Sequence, residues 1–332
     1  MTSSLACPPL PAFLQIEPVG TCNLACRMCP VRYREATDDR KLVDVEAFRR
    51  LVAEMADAHE LQLQGLGEPL LHPRLFEMVA YAVGRGHVVA INSNMTLMSA
   101  RRAEECVASG LHRLHASIDA ATPARYEWIR SGGVFGRALR GIERVQRAKE
   151  RAGSALPALE LVMVLMRANL GELPGLVALA HALGVPRLAV QPLCHDFSEP
   201  TLPTRYAPMR SFVATQALGP ADRPRLERSV REAEEAAARL GVELRLPPLV
   251  TRPAAAGGRC AWPWRGAYVA YGGEAMPCCM VSTPDRVTLG NVFQEGALAV
   301  WHGAAYRDFR TRLAGPTPPA VCRGCALYAG AA

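Results

Sequence analysis

A chain of 332 residues, half of them apolar, is long enough to bury a real core and suits one large α/β domain with a small appendage. The net charge of +7 comes from 36 arginines and two lysines, Lys41 and Lys149, scattered among Ala and Glu on helical faces, which argues against the clustered patch of a nucleic-acid footprint. The longest uncharged apolar run, Leu161 to Met166, falls far short of the roughly eighteen residues that span a bilayer, and Met1 to Pro11 has neither the basic region nor the apolar core of a signal peptide.

In chain order, strand-like and helix-like segments alternate as they do in a parallel sheet covered by helices. An apolar run, Phe13 to Val19, leads into the stretch Cys22-Asn23-Leu24-Ala25-Cys26-Arg27-Met28-Cys29. Asp44 then caps a helix whose apolar face is Phe48, Leu51, Val52 and Met55. Leu61 to Gln64 reads as a strand, Leu75 to Val83 as a helix and His87 to Ile91 as a strand; Ser99 opens the next helix and Gly110 closes it. Strand Leu114 to Ile118, helix Phe135 to Lys149, strand Leu159 to Leu165, helix Leu173 to Leu183 ended by Gly184, and strand Arg187 to Gln191 complete six β/α units. Six units cannot close an eight-stranded barrel.

Cys194 to Gly258 opens with His195-Asp196-Phe197 and is substrate territory by position. It carries an amphipathic helix, Arg223 to Leu240, led by Asp222 and closed by Gly241, then a strand from Val242 to Leu246 and the Pro247-Pro248 break. Beyond it, Gly266 to Cys278 reads as a hairpin turning at Gly272-Gly273, which would deliver Cys278 beside Cys260. The expected division is 1–194 for the barrel, 195–257 for a substrate-facing insertion and 258–332 for a small metal domain.

Eleven cysteines, an odd number, point to reduced thiols in a cytoplasm. Thiolates at the C-x3-C-x2-C spacing of Cys22, Cys26 and Cys29 can hold three irons of a four-iron cluster and leave the fourth open to bind a small molecule. A structural zinc would want a fourth ligand, and the nearest downstream His, His59, lies beyond a predicted helix. Cys260, Cys278, Cys322 and Cys325 form a second set, closed by a chelating C-x2-C pair; on spacing alone a zinc ribbon and an iron–sulfur cluster stand level there. Cys279 should face away from its neighbour Cys278 if both lie on a strand, and reads either as a hydrogen-atom donor at the barrel mouth or as a packing cysteine. Cys7, Cys106 and Cys194 read as structural.

The first motif, just after a strand, resembles the cluster loop of radical S-adenosylmethionine (SAM) enzymes. That resemblance implies an α/β fold, a partial (β/α)6 TIM-like barrel with a C-terminal twitch/SPASM-like extension, and SAM on the open iron of a [4Fe-4S] cluster. Ligands belong at the carboxyl ends of the strands. Gly65-Leu66-Gly67-Glu68-Pro69 is similar to the family's Gly-Gly-Glu motif for the amino group of SAM, offset so that Leu66 stands for the first glycine; alone it would read as a tight turn. Asn92-Ser93-Asn94 stands where the family has a Thr-Asn-Gly-like segment. Ser117 and Asp119 are implied to contact SAM or substrate, Arg130 is similar to an arginine found shortly after that strand, and Gln191 with Pro192 is implied to touch adenine.

Leu289-Gly290-Asn291-Val292, Trp301 and Tyr306 to Arg310 resemble the twitch or SPASM extension, in which Cys260, Cys278, Cys322 and Cys325 would make one fully ligated auxiliary [4Fe-4S] cluster. The full SPASM pattern has more cysteines and two clusters, so a one-cluster twitch domain is the better match. The resemblance implies reductive cleavage of SAM to a 5′-deoxyadenosyl radical that abstracts a substrate hydrogen, with flavodoxin or ferredoxin as electron donor. The seventeen residues between Cys260 and Cys278 resemble the spacing in an aminocyclitol dehydrogenase, and Cys278-Cys279 is similar to paired cysteines of radical epimerases. The expected function is therefore auxiliary-cluster-assisted dehydrogenation or epimerisation of a sugar, cyclitol or related natural product. Peptide modification is the alternative, set second because only about a dozen residues precede the first strand; RNA modification and a noncatalytic zinc-binding module complete the range.

Overall fold

Nine strands form one sheet in this computed structural model, which describes residues 8–34, 41–193, 202–247, 260–323, 325 and 328. Cys7, Cys194, His195, Asp196, Phe197, Pro248 and Gly258 lie outside the described residues. The strands are β1 (Phe13–Ile16), β2 (Glu60–Leu63), β3 (Val88–Ser93), β4 (Arg113–Ser117), β5 (Ala158–Leu165), β6 (Arg187–Pro192), β7 (Glu243–Arg245), β8 (Gly266–Val269) and β9 (Ala275–Met276). Their order is β7-β6-β5-β4-β3-β2-β1-β8-β9, an open barrel in which every pairing is parallel except β8 with β9.

Period-two alternation decides what each face of this sheet does. Leu14 and Ile16, Leu61 and Leu63, Val89 and Ile91, Leu114 and Ala116, and Leu159 and Leu161 are buried in one core with the helices. Those helices include α1 (Val45–Glu54), α2 (Leu75–Gly84), α3 (Ala100–Ala108), α5 (Phe135–Ala152) and α6 (Leu173–Ala182), with the short α4 (Pro123–Ile129) inside the loop after β4. Each large apolar side chain so buried stabilises the fold by about 1.5–3 kcal/mol. The opposite face carries Gln15, Gln62, Asn92, His115 and Glu160, a polar row where closed parallel barrels stack apolar layers.

Local chemistry sets the helix ends. Asp44 Oδ1 accepts from Ala47 N at 2.8 Å and Ser99 Oγ from Arg102 N at 3.2 Å, while α5 ends on Gly153 at φ +60°. The first strand stops earlier than its apolar run predicts. Pro18 has no N–H to continue the ladder, and Val19 instead bridges Leu42. The third strand runs two residues beyond Ile91, which puts Asn92 and Ser93 on the strand rather than in the loop.

Two further elements extend the sheet. After α7 (Ala207–Gln216) and α8 (Arg223–Leu240), β7 adds a parallel strand beside β6, so this segment contributes to the sheet. β8 pairs with β1 in parallel, Phe13 opposite Gly266 and Ile16 opposite Val269. The C-terminal cysteines are thereby carried to the barrel's open side. The chain then finishes in α9 (Trp262–Arg265), before β8, and α10 (Val292–Glu295), α11 (Ala297–Trp301), α12 (Ala304–Ala314) and α13 (Ala320–Arg323), after β9. Among the described residues no helix is long and apolar enough to cross a membrane.

Candidate active site

The three cysteines of the first motif sit on the loop between β1 and α1, and that loop is sewn to the segment after α4. Ala25 N donates to Ser131 O at 2.8 Å and Arg27 N to Ile129 O at 3.0 Å, while Leu24, Cys26 and Met28 pack against Ile129 and Met166. Burial pushes all three thiols upward, Cys22 to about 11. Such thiols are protonated without metal and become ligands when the metal replaces their protons, which are released to solvent. Arg130 works the other way at Cys26: its guanidinium Nη1 lies 3.9 Å from the sulfur and lowers the cost of the thiolate.

The loop after β2 is held against this one by glycines and by a carboxylate that the sequence does not advertise. A Cβ on Gly67 would stand 1.9 Å from Val19 O and 2.6 Å from Thr21 O; one on Gly65 would stand 2.3 Å from the Glu17 side chain. The glycines thus serve a close approach between two stretches of the protein's own chain. Glu17, fully buried, accepts from Leu66 N at 2.8 Å and Gly67 N at 3.3 Å through Oε1, and pairs with Arg34 at 2.7 Å through Oε2. Gly67→Ala is expected to destabilise the protein by about 1–3 kcal/mol, because a methyl there must push the Val19 carbonyl away; urea denaturation of the two proteins measures it.

Glu68, 3 % exposed, uses both oxygens within the protein. Oε1 accepts from Ser93 Oγ at 2.7 Å and Leu70 N at 3.1 Å, and Oε2 accepts from Asn94 N at 2.8 Å. Burial raises its pKa and these three donors oppose the rise. The carboxylate clamps the end of β3 to the loop after β2. Asn94 Nδ2 then donates to Asn23 Oδ1 at 3.0 Å and approaches Cys22 Sγ at 3.9 Å, which ties β3 to the cysteine loop.

One cavity of about 290 Å³ collects these groups at the carboxyl ends of the strands. Cys22, Cys26, Cys29, Gly65, Gly67, Glu68, Asn92, Ser93, Asn94, Ser117, Arg130, Gln191 and Cys279 all line it. Asp119, expected beside them, is not part of that lining. It is fully buried, its Oδ1 accepts from Val164 N at 2.8 Å, and its Oδ2 pairs with Arg130 Nε at 2.8 Å. Burial opposes the Arg130 charge, but Asp119 and Cys26 tip the balance upward and keep the guanidinium ionised. Asp119 therefore acts through Arg130.

A second chamber of about 740 Å³ adjoins the first and shares Gln15, Gln64, Asn92, Gln191 and Cys279 with it. The inner polar row continues here. Gln62 Nε2 donates to Asn92 Oδ1 at 2.7 Å, and His115 Nδ1 lies 2.6 Å from the same oxygen. Burial, then Arg113 and Arg245, push the His115 imidazole down to about 4, so it is neutral near pH 7. At the far side of this chamber stands Cys260.

Cys260, Cys278, Cys322 and Cys325 line one enclosed apolar pocket together with Trp262, Pro263, Phe309, Leu313 and Tyr328. Burial pushes Cys278 and Cys322 to about 12. Cys279 lies in the turn after β9, not on the strand, yet it still parts from its neighbour: Cys278 lines this pocket and Cys279 the chambers.

The profile of the radical SAM superfamily matches residues 16–173, and that of an iron–sulfur cluster-binding domain, SPASM, matches residues 260–326; together they span most of the chain. The chain belongs to the radical SAM superfamily. This radical SAM enzyme is 27 % identical over 54 % of its length to the tungsten-containing aldehyde ferredoxin oxidoreductase cofactor-modifying protein of Pyrococcus furiosus, about half of which (51 %) it spans. To the PqqA peptide cyclase of Xanthomonas campestris it is 26 % identical over 96 % of its own length and 79 % of the relative's. Among solved structures, SuiB of Streptococcus suis bound to its precursor peptide SuiA shares the fold, with a TM-score of 0.71 at 14 % identity over 96 % of this chain and 70 % of that one.

The cofactors of this radical SAM enzyme are a [4Fe-4S] cluster, SAM and an auxiliary iron–sulfur cluster. The donor sets fit them. Cys22, Cys26 and Cys29 open on a cavity of about 290 Å³ that also presents Glu68, Asn94 and Arg130 and leaves room beside them, whereas the four C-terminal thiols line a small apolar pocket. The zinc reading that spacing left open at the second set gives way to iron and sulfur. Residues that the sequence did not single out are Glu17, Arg34 and His115. Glu17 ends an apolar strand at its carboxyl end, and a charge in that position is the one signal that could have found it.

Proposed function

We propose that this radical SAM enzyme modifies a peptide. The observation that carries the reading is similarity over nearly the whole chain to PqqA peptide cyclases, which favours the peptide alternative over a sugar or cyclitol. The chamber supports it chemically: Gln15, Gln62, Gln64, Asn92 and Gln191 offer carboxamides that match the donors and acceptors of peptide amides. When bound, the first cluster and SAM supply reductive cleavage of the sulfonium and abstraction of a substrate hydrogen atom. The chain's own part is to hold that reagent. Glu17 and Glu68 fix the two loops around the cavity, Asp119 orients Arg130 toward Cys26, and the apolar side chains Leu24, Met28 and Ile129 pack around Cys26 and shield it from water.

What supports a substrate-facing role for Cys279 is that it lines both chambers. A thiol there returns a hydrogen atom to the substrate carbon in an epimerase and is a bystander in a dehydrogenase or cyclase. Anaerobically reconstituted enzyme, given SAM, dithionite and a random-sequence library of short peptides, is expected to form 5′-deoxyadenosine several-fold faster than with a panel of sugars and aminocyclitols. The reverse ranking would sink the peptide reading. Running the peptide reaction in deuterated water decides the outcome class: solvent deuterium on carbon, lost in Cys279→Ala, marks epimerisation, and loss of two hydrogens in both proteins marks oxidation or cross-linking.

A further inference from the structure

Electrons must reach the amino-terminal cluster from outside, and one surface patch adjoins the loop that carries its ligands. Trp128, in the last turn of α4, is 36 % exposed, and Val134, six residues on, 45 %; they are two of the four large apolar side chains most exposed among the described residues. The guanidinium of Arg27 lies 4.7 Å from the centre of the Trp128 ring and that of Arg125 5.6 Å. Arg27 Nε also donates to Trp128 O at 2.8 Å, and Arg27 is the residue next to Cys26. The acid on the same helix, Glu127, accepts from Phe135 N at 3.1 Å and keeps its charge, so the two arginines leave the patch with one net positive charge. An exposed indole between two arginines combines the side chains that carry most binding energy at protein contacts with a local positive charge.

We propose that the Arg27, Trp128 and Arg125 patch is the docking surface for an acidic one-electron carrier protein of the flavodoxin or ferredoxin class. The carrier's centre is oxidised by one electron and the cluster is reduced by one; no bond or proton changes place. The inference rests on family membership and is independent of whether the substrate is a peptide. Charge complementarity selects the partner's sign, since opposite potentials speed encounter most at low salt.

Freeze-quench EPR on the reconstituted full-length protein, read at the signal that SAM perturbs, gives the reduction rate with reduced flavodoxin and, separately, with dithionite. Arg125→Glu and Trp128→Ala are each expected to slow reduction by flavodoxin about tenfold at low salt, a loss that shrinks as ionic strength passes about 0.15 M. Their dithionite rates should match wild type. Arg151→Glu, the same charge change in the last turn of α5 at the opposite end of the barrel, should alter neither rate. Unchanged flavodoxin rates in both patch variants would overturn the proposal. So would an equal loss in Arg151→Glu, which points to net charge alone, or parallel slowing with dithionite, which points to a damaged cluster.

Discussion

Cys278→Ala is expected to reduce the iron of the reconstituted protein from about eight atoms per chain to about four, whereas Cys279→Ala keeps all of it. The two residues are adjacent, so helix propensity, local charge and surface exposure change almost identically in the two variants. What differs is the cavity each side chain lines. Cys278 shares an apolar pocket with Cys260, Cys322 and Cys325; burial, aided by the neighbouring Cys260 and Cys325, pushes its thiol up to about 12, and a bound metal favours the thiolate instead. Cys279 faces the chambers where Gln15, Gln64 and Asn92 stand. Iron and sulfide analysis, with Cys22→Ala as the partner experiment that removes the other four irons, reads the assignment directly. Loss of about four irons in Cys279→Ala would make it a ligand and remove it from any exchange with substrate.

The cysteine sites were legible in the sequence because chelation is local. Three thiols within eight residues, or two separated by two, can converge whatever the rest of the chain does, and the alternation of Leu14 and Ile16 with Gln15 marks an inner and an outer sheet face in any register. The supporting groups were not legible, because their meaning lies in partners far along the chain. Glu17 is one more charged residue until the fold brings Leu66 and Gly67 to it, and Asp119 looks like a ligand contact until Val164 and Arg130 claim its oxygens. Position and direction part company in the same way at Glu68 and Asn92. Glu68 lies in the loop after β2 and Asn92 near the end of β3, but Glu68 turns to Ser93 and Asn94, and Asn92 turns to Gln62 and His115. The pairing of β8 with β1 carries no local signal, since a parallel partner is specified only by the burial that closing the sheet achieves.

Removing either partner of the Asp119 and Arg130 pair is expected to destabilise the protein by about 3–5 kcal/mol, and removing both by much less than the sum. Asp119 is fully buried and Arg130 8 % exposed, so Arg130→Met leaves a buried carboxylate without its counter-ion, and Asp119→Asn leaves a buried guanidinium without the carboxylate it pairs with. The double variant strands neither charge; its remaining cost is the weakened acceptor for Val164 N. Urea denaturation of the metal-free proteins measures the coupling, and strictly additive losses would show that the pair is not a unit. A second readout separates structure from chemistry. Burial raises the Cys26 thiol and Arg130 opposes that rise, so without the guanidinium the thiolate fraction at any given pH falls. Iron uptake needs the thiolate, and its pH midpoint should therefore move upward in Arg130→Met, while Arg130→Lys, which keeps the charge but not the planar fork, should hold it nearer to wild type.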